Sequence, residues 1–137
     1  MSEQNIYNEI NRVQDIIEER HKVINEIRKL SEALGTKSSE EVEKEIIKLL
    51  EKTSGLRQTM QKSLEAIEKH SDPSIKEYVV TLIDFIRLVD MDEEEQVFSE
   101  LVGYARRTRG PLYTKMDWLE REMKEMTGLS EKLKHRK

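Results

Sequence analysis

Apolar residues recur along the first quarter of the chain in steps of three and four, the spacing that keeps side chains on one face of an α-helix. The row lies between Ser2 and Leu34 and consists of Ile6, Ile10, Val13, Ile17, Ile24, Ile27 and Leu34. Arg20 and Ser31 occupy the two positions of this row that are not apolar. Since a second apolar row lies beside it, the pattern predicts one helix of about 32 residues that faces at least two neighbours.

The same stepping continues from Val42 to Ile67 and passes through Gly55 without a change of register. Ser38 and Glu41 have the spacing of a capping box, so we predict a second helix over roughly residues 39–70. A break near Gly55 is the competing interpretation, because glycine costs about 1 kcal/mol relative to alanine inside a helix. Matched lengths favour continuity and predict an antiparallel helical hairpin about 48 Å long.

A short, mostly apolar segment follows the predicted hairpin. Asp72 and Pro73 supply an N-cap and a first helical residue, and apolar side chains then occur on all sides up to residue 89. A helix that is apolar all round is normally buried, so we expect helix 73–89 to be the most buried element. At about 26 Å it covers only half of the hairpin, and the rest requires the C-terminal helices or a second chain.

Two further helices are predicted in the C-terminal part of the chain. Asp90 or Asp92 is expected to cap a helix over 92–109, which ends at the Gly-Pro pair that follows it. The last helix is predicted over 115–127, and the basic tail over 129–137 is expected to be frayed.

Together these elements predict an all-α, bundle-like fold, in which a long antiparallel hairpin (residues 3–70) packs with three shorter helices. We expect residues 1–128 to form a single helical domain.

The composition excludes several kinds of fold and site but does not identify the function. The 137 residues include no cysteine, five glycines and two prolines, which excludes disulfides, cysteine-based metal sites and a turn-rich β-fold. No apolar run is long enough for a membrane span, and the first thirty residues lack the pattern of a secretory signal, so we expect a cytoplasmic protein without membrane contact. Abundant Glu and Lys without cysteine also match the composition of heat-adapted proteins.

Charge is unevenly distributed along the chain, whose overall net charge is −4. Residues 71–103 carry nine acidic and two basic side chains, whereas residues 104–137 carry ten basic and five acidic ones. The start of the basic region also holds aromatic side chains, and its candidate binding residues are Tyr104, Arg106, Arg107, Arg109, Tyr113, Lys115 and Trp118.

This basic and aromatic segment, residues 104–118, has three interpretations. Guanidinium groups match phosphate oxygens and aromatic rings stack on unpaired bases, which fits nucleic acid. Alternatively, the arginines complement a helix C-terminus and pair with the acidic run 90–95 of the same chain, or they bind an acidic protein partner.

Candidate catalytic and metal-binding groups are sparse. Glu40 and Glu43 form half of a Mg²⁺ site of the kind an all-α nucleotide hydrolase requires, but the third helix offers no matching pair. The three histidines are scattered among charged neighbours. We therefore predict no catalytic residues, no metal site and no cofactor.

The sequence thus predicts a non-enzymatic assembly or adaptor protein that acts through homo-oligomerisation, as a homodimer, and through contacts with other proteins. Burial of apolar surface along the hairpin, at about 25 cal/mol per Å², would drive this association. The expected interface residues are Ile6, Ile10, Val13, Ile17, Arg20, Ile24 and Ile27. An accessory subunit of a nucleic-acid-handling complex, using residues 104–118, is the alternative, and a Mg²⁺-dependent nucleotide hydrolase comes third.

Overall fold

A computed structural model describes residues 3–34, 40–70 and 73–135. These residues form α-helices, one π-helical segment and one 3-10 turn, and the described ranges contain no strand. The predicted all-α, bundle-like fold is therefore confirmed. The elements in chain order are α1 (Glu3–Leu34), α2 (Glu40–Glu68), α3 (Pro73–Phe85), the π-helical segment (Ile86–Asp90), α4 (Met91–Thr108), the 3-10 turn (Tyr113–Lys115) and α5 (Met116–Lys134).

Helices α1 and α2 form the long antiparallel hairpin that the apolar stepping predicts. Near the middle of the hairpin, Lys52 of α2 pairs with Glu19 of α1 at 3.0 Å. Helix α2 continues through Gly55 without a break, where an added Cβ would meet nothing within 4 Å. The alternative of two shorter helices is therefore wrong, while the predicted cap at Ser38 lies outside the described residues.

Helices α3 and α4 are one continuous rod, which corrects the prediction of separate helices over 73–89 and 92–109. Phe85, Asp90 and Met91 all have right-handed helical torsion angles, and the π-helical segment joins the two helices. Asp90 makes no capping hydrogen bond, because its carboxylate points into the protein and binds Arg20 instead. Asp90 therefore forms a buried ion pair inside a continuous rod and does not cap the start of a separate helix.

Helix α5 is longer than predicted, and the expected frayed tail is wrong as far as the described residues extend. The helix runs through Gly128 to Lys134 rather than ending near residue 127. Leu129 and Leu133 are buried, so apolar packing holds the basic C-terminal turns on the rest of the protein.

The four rods run alternately up and down. The α3–α4 rod is parallel to α1, as contacts of Gln14 with Tyr78 and of His21 with Glu93 show. Helix α5 returns antiparallel to α4, where Arg106 contacts Glu120 at 3.1 Å. None of the helices in the described ranges is both long and apolar enough to span a membrane.

The core consists of apolar residues from all four rods, on both sides of a polar layer that lies halfway along the hairpin. Six of the seven predicted interface residues are buried within the single chain. Five of them belong to this core, Ile6, Ile10, Val13, Ile24 and Ile27, and the sixth, Arg20, lies in the polar layer. Only Ile17 is partly exposed. The predicted dimer interface is therefore corrected, since a second copy could reach these side chains only by displacing the helices of the same chain.

Helix α3 is also not the most buried element. Its buried residues are Ile75, Leu82 and Ile83, whereas large apolar side chains on its other faces and on the π-helical segment are open to solvent. The C-terminal helices pack along the hairpin beside it and leave this surface uncovered.

Candidate functional site

The polar layer is centred on Arg20, whose side chain is completely buried. Its Nε lies 3.0 Å from both carboxylate oxygens of Asp90, and one Nη donates to Glu94 at 2.8 Å. The other Nη donates to the backbone carbonyl of Thr53 at 3.0 Å. Each branch of the guanidinium therefore has an acceptor inside the protein, which a buried charge requires.

A second arginine extends this layer across the bundle. Arg57 of α2 donates to Glu94 at 2.7 Å and to Glu122 of α5, and Ser54 also donates to Glu122. Glu94 therefore bridges Arg20 and Arg57, so that all four rods contribute to one network. We call this set the charged layer; its members are Arg20, Thr53, Ser54, Arg57, Asp90, Glu94 and Glu122.

Burial and ion pairing oppose each other within the charged layer. Burial lowers the pKa of Arg20, but the negative charges of Glu94 and Asp90 outweigh this and leave its pKa raised above the ordinary value. Burial also raises the pKa of Asp90, which the charge of Arg20 only partly offsets. The charged side chains of the layer pair with one another, so they link the rods in the middle of the bundle.

The sequence pattern identified only Arg20 as an unusual member of the first helical row. Its carboxylate partners, Asp90 and Glu94, lie 70 or more residues away along the chain. Arg20 and Arg57, both near the middle of the hairpin, could have indicated the layer, because a charged side chain on a buried helix face requires a carboxylate on a neighbouring helix.

The carboxylates of Glu40 and Glu43, the predicted half of a Mg²⁺ site, do not point to a common position. Glu40 points to Lys44 at 3.3 Å, while Glu43 is buried and accepts a hydrogen bond from the backbone N–H of Leu112 at 3.3 Å. Across the described part of the chain, no three His, Asp or Glu side chains are grouped as a metal site requires. The carboxylate of Glu43 instead holds the loop between α4 and α5.

The basic and aromatic segment lies around the junction of α4 and α5, at the hairpin-loop end of the bundle. Two of its members pack against the core, since Tyr104 is partly buried and Trp118 lies 6.1 Å from Phe98 between ring centroids. The other five are exposed, and they are Arg106, Arg107, Arg109, Tyr113 and Lys115. The structure therefore places five of the seven candidates on one accessible end.

The acidic run 90–95 does not pair with this basic end. Asp90 and Glu94 belong to the charged layer, and Glu93 faces His21 at 3.1 Å. Arg106 pairs instead with Glu120, and the guanidinium of Arg109 lies 5.7 Å from the ring centroid of Tyr113. The predicted pairing with the run 90–95 is therefore wrong for the contacts that the described residues make, whereas Arg106 and Arg107 do lie in the last turn of α4, as the helix C-terminus interpretation requires.

Four of the six large apolar side chains that are exposed in the described part of the chain lie on the α3 side of the molecule. On α3 and the π-helical segment, Tyr78 is 47%, Phe85 46%, Leu88 60% and Val89 40% exposed. We call these four residues the α3 outer face. Aromatic and aliphatic side chains of this size are normally buried. The exposure of all four therefore indicates a surface that no described element covers.

A groove runs between α1 and the α3 outer face. Its first part has an open volume of about 540 Å³ and is lined by Gln14, Ile17 and Glu18 of α1 and by Tyr78 and Phe85 opposite, among others. Its second part, of about 260 Å³, continues past Ile17 and Phe85 towards Val89. We call both parts together the α1–α3 groove.

Comparison of this chain with protein-family models, with curated proteins and with solved structures finds no match.

Proposed function

We propose that this protein is a non-enzymatic helical adaptor that assembles with another protein through the α3 outer face and the α1–α3 groove. The observation that carries the proposal is the exposure of four large apolar side chains on α3 and the π-helical segment, whose residues are mostly apolar. A helix of this kind is expected to be covered by other helices. The residues that the structure describes cover one of its faces, and a partner would cover the other.

The chemistry of the surface supports protein docking. Tyr and Phe supply large contact areas with few rotatable bonds, and aromatic residues are enriched at the centres of protein interfaces. Burial of their exposed area stabilises a complex by about 25 cal/mol per Å² before the costs of association. Tyr78, Phe85 and Val89 lie along one groove, so a single partner element contacts all of them.

The homodimer that the sequence predicts stays a prediction, but its interface has to differ from the hairpin row. The α1–α3 groove is a poor surface for self-pairing, because Asp15, Glu18 and Glu93 line it. Two copies that meet through this groove bring like charges together, which destabilises an interface.

Photocrosslinking tests the proposed function directly. A photoreactive phenylalanine analogue replaces Leu88 in one variant and Tyr113, on the basic end, in a matched control of the full-length chain. We expect illumination in native cells to give a discrete heavier product from position 88 and none from position 113. Equal product patterns from both positions, or no product from position 88, would contradict docking through the α3 outer face.

The exposed basic end favours nucleic-acid contact as a second candidate function. Arg106, Arg107 and Arg109 lie there together with Tyr113 and Lys115, and none of them is buried. We expect weak, salt-sensitive binding to single-stranded RNA or DNA that disappears when the three arginines become alanine. A salt titration by fluorescence anisotropy checks this, and no binding at about 50 mM salt would end the hypothesis.

A further inference from the structure

The ionisable side chains that line the α1–α3 groove are predominantly acidic. Asp15 and Glu18 extend from α1, Glu93 closes the far end, and Asp90 lies beneath it in the charged layer. His21 is the one basic side chain among the lining residues, and it already faces Glu93 at 3.1 Å. A negative rim around an apolar floor favours a positively charged partner and disfavours an acidic one.

The floor of the groove has the dimensions of a helix-binding site. Tyr78, Phe85 and Val89 are spaced by seven and four residues on one side, and Ile17 faces them from α1. Eleven residues of helix span about 16 Å, which accommodates about three turns of a partner helix. Tyr7 is exposed and lies two turns before Gln14 on the same face of α1, so it extends the apolar path.

We propose that the α1–α3 groove binds an amphipathic helix of another protein, with apolar residues spaced by three, four and seven and with Lys or Arg on its flanks. This inference rests on the proposed docking function and specifies the partner's chemistry. Apolar anchors would fill the floor beside Phe85, and the basic flanks would pair with Asp15 and Glu18. This is the helix-in-groove mode of peptide recognition.

A second copy of this chain is a poor occupant for the same groove. Residues 71–103, which supply one wall, carry nine acidic and two basic side chains. Asp90 and Glu94 pair with buried arginines, and the acidic side chains that remain on the surface repel a second copy there. Helix α5, whose last turn is basic, cannot serve as the ligand, because Leu119, Met126 and Leu129 on its apolar face are buried in its own core. The occupant is therefore a basic helix from a different protein.

Two model peptides of about 18 residues test the inference. They share leucines at helical spacing and differ only in their flanking residues, which are lysine in one and glutamate in the other. Fluorescence anisotropy with the full-length protein measures their affinities. We expect the lysine peptide to bind at least about tenfold more tightly, with an affinity that falls as salt increases. Equal affinities, or no binding of the lysine peptide, would overturn the assignment.

Matched variants locate the binding to the groove. Phe85→Ser removes a groove residue that is 46% exposed, and Tyr113→Ser removes a residue of similar exposure, 43%, at the other end of the bundle. We expect the first to weaken binding of the lysine peptide about tenfold and the second to leave it unchanged. Equal effects would overturn the inference. Thermal unfolding of both variants establishes that each remains folded.

A charge reversal separates local pairing from overall charge. Glu18→Lys reverses a charge on the rim, whereas Glu45→Lys makes the same change at an exposed position of α2 outside the groove. We expect Glu18→Lys to weaken binding several-fold more than Glu45→Lys, because screening limits the distant charge. Equal effects would overturn the rim's role.

Light scattering tests for the competing occupant. A dimer that Phe85→Ser dissociates would identify a second copy as the ligand and overturn the inference about a basic helix. In that case crosslinking from position 88 would give a product that contains only this chain, so the surface would remain a docking site but its partner would be a second copy and not another protein. Failure of both peptide binding and crosslinking would remove the docking function as well.

Discussion

Charged side chains are usually exposed and apolar ones buried. The charged layer departs from the first rule and the α3 outer face from the second. In the layer, Arg20 and Glu94 carry charge at sites with no solvent exposure. On the outer face, Phe85 and Leu88 expose apolar surface to water. The layer is closed, because its arginines and carboxylates satisfy one another. The outer face is open, because no described part of the chain covers it.

The two regions therefore have different consequences for the protein. A buried ion-pair network contributes little net stability compared with apolar packing, but it becomes very unfavourable when one member is lost. Such a network can fix the register of helices, and in this bundle it links all four rods at one level. The outer face has no equivalent folding role, so its apolar character is available for a partner.

Removal of Glu94 is expected to have the largest effect on stability. Glu94→Ala leaves Arg57 and Arg20 without their shared carboxylate inside the bundle, which costs about 3–5 kcal/mol of unfolding free energy. Urea unfolding measures this cost. Glu100→Ala, at an exposed position of α4, is the control and changes stability by less than about 0.5 kcal/mol. A similar small effect for Glu94 would show that the layer does not hold the rods together.

The comparison also shows how far sequence reasoning reaches. Periodicity predicted the hairpin and the continuity of α2 through Gly55, because both follow from local spacing. It could not predict the α3–α4 rod, because Asp90 after an apolar run has the appearance of an N-cap. Its actual partner, Arg20, is 70 positions away in the sequence, and no local rule connects the two.

The error in the predicted interface has a related cause. A row of apolar residues shows that a helix face is covered, but it does not show by which chain. Ile24 and Ile27 are covered by their own chain, whereas Phe85 and Val89 are not covered. Apart from Ile17, the residues of the α1–α3 groove were missed for this reason, although the mostly apolar pattern of residues 73–89 was visible.

A substitution at Gly110 is expected to have the next largest effect and tests a buried carboxylate outside the charged layer. An added Cβ would lie 2.8 Å from Oε2 of Glu43 and 3.0 Å from Oε1, the oxygen that accepts the N–H of Leu112. Gly110→Ala therefore displaces Glu43, and we expect a loss of about 1–3 kcal/mol. The control is Gly128→Ala in α5, where a Cβ meets nothing within 4 Å. Unfolding in urea should show loss only for Gly110.

The pH dependence of Asp90 distinguishes burial from ion pairing in the layer. Burial raises its pKa, Arg20 partly offsets this, and Glu94 and Glu93 raise it further. The folded protein thus binds this proton more tightly than the unfolded chain. The contribution of Asp90 to stability is therefore greatest below the ordinary aspartate pKa of about 3.9 and is lost as pH rises through the raised value.

Asp90→Asn should accordingly reduce the free energy of unfolding more at about pH 4 than at pH 7. Urea unfolding of both proteins at the two pH values gives the difference directly. A larger cost at pH 7 would mean that the ion pair with Arg20, rather than burial, dominates the energetics of this carboxylate.

The smallest effect is expected on the outer face itself. Leu88 is 60% exposed, so Leu88→Lys should change the free energy of unfolding by less than about 0.5 kcal/mol. The matched change Leu82→Lys, at a buried position of the same rod, places a charge in the core and should strongly destabilise the protein. Thermal unfolding compares the two variants. A large loss for Leu88→Lys would show that the outer face serves folding, and the contrast between the closed layer and the open face would then fail.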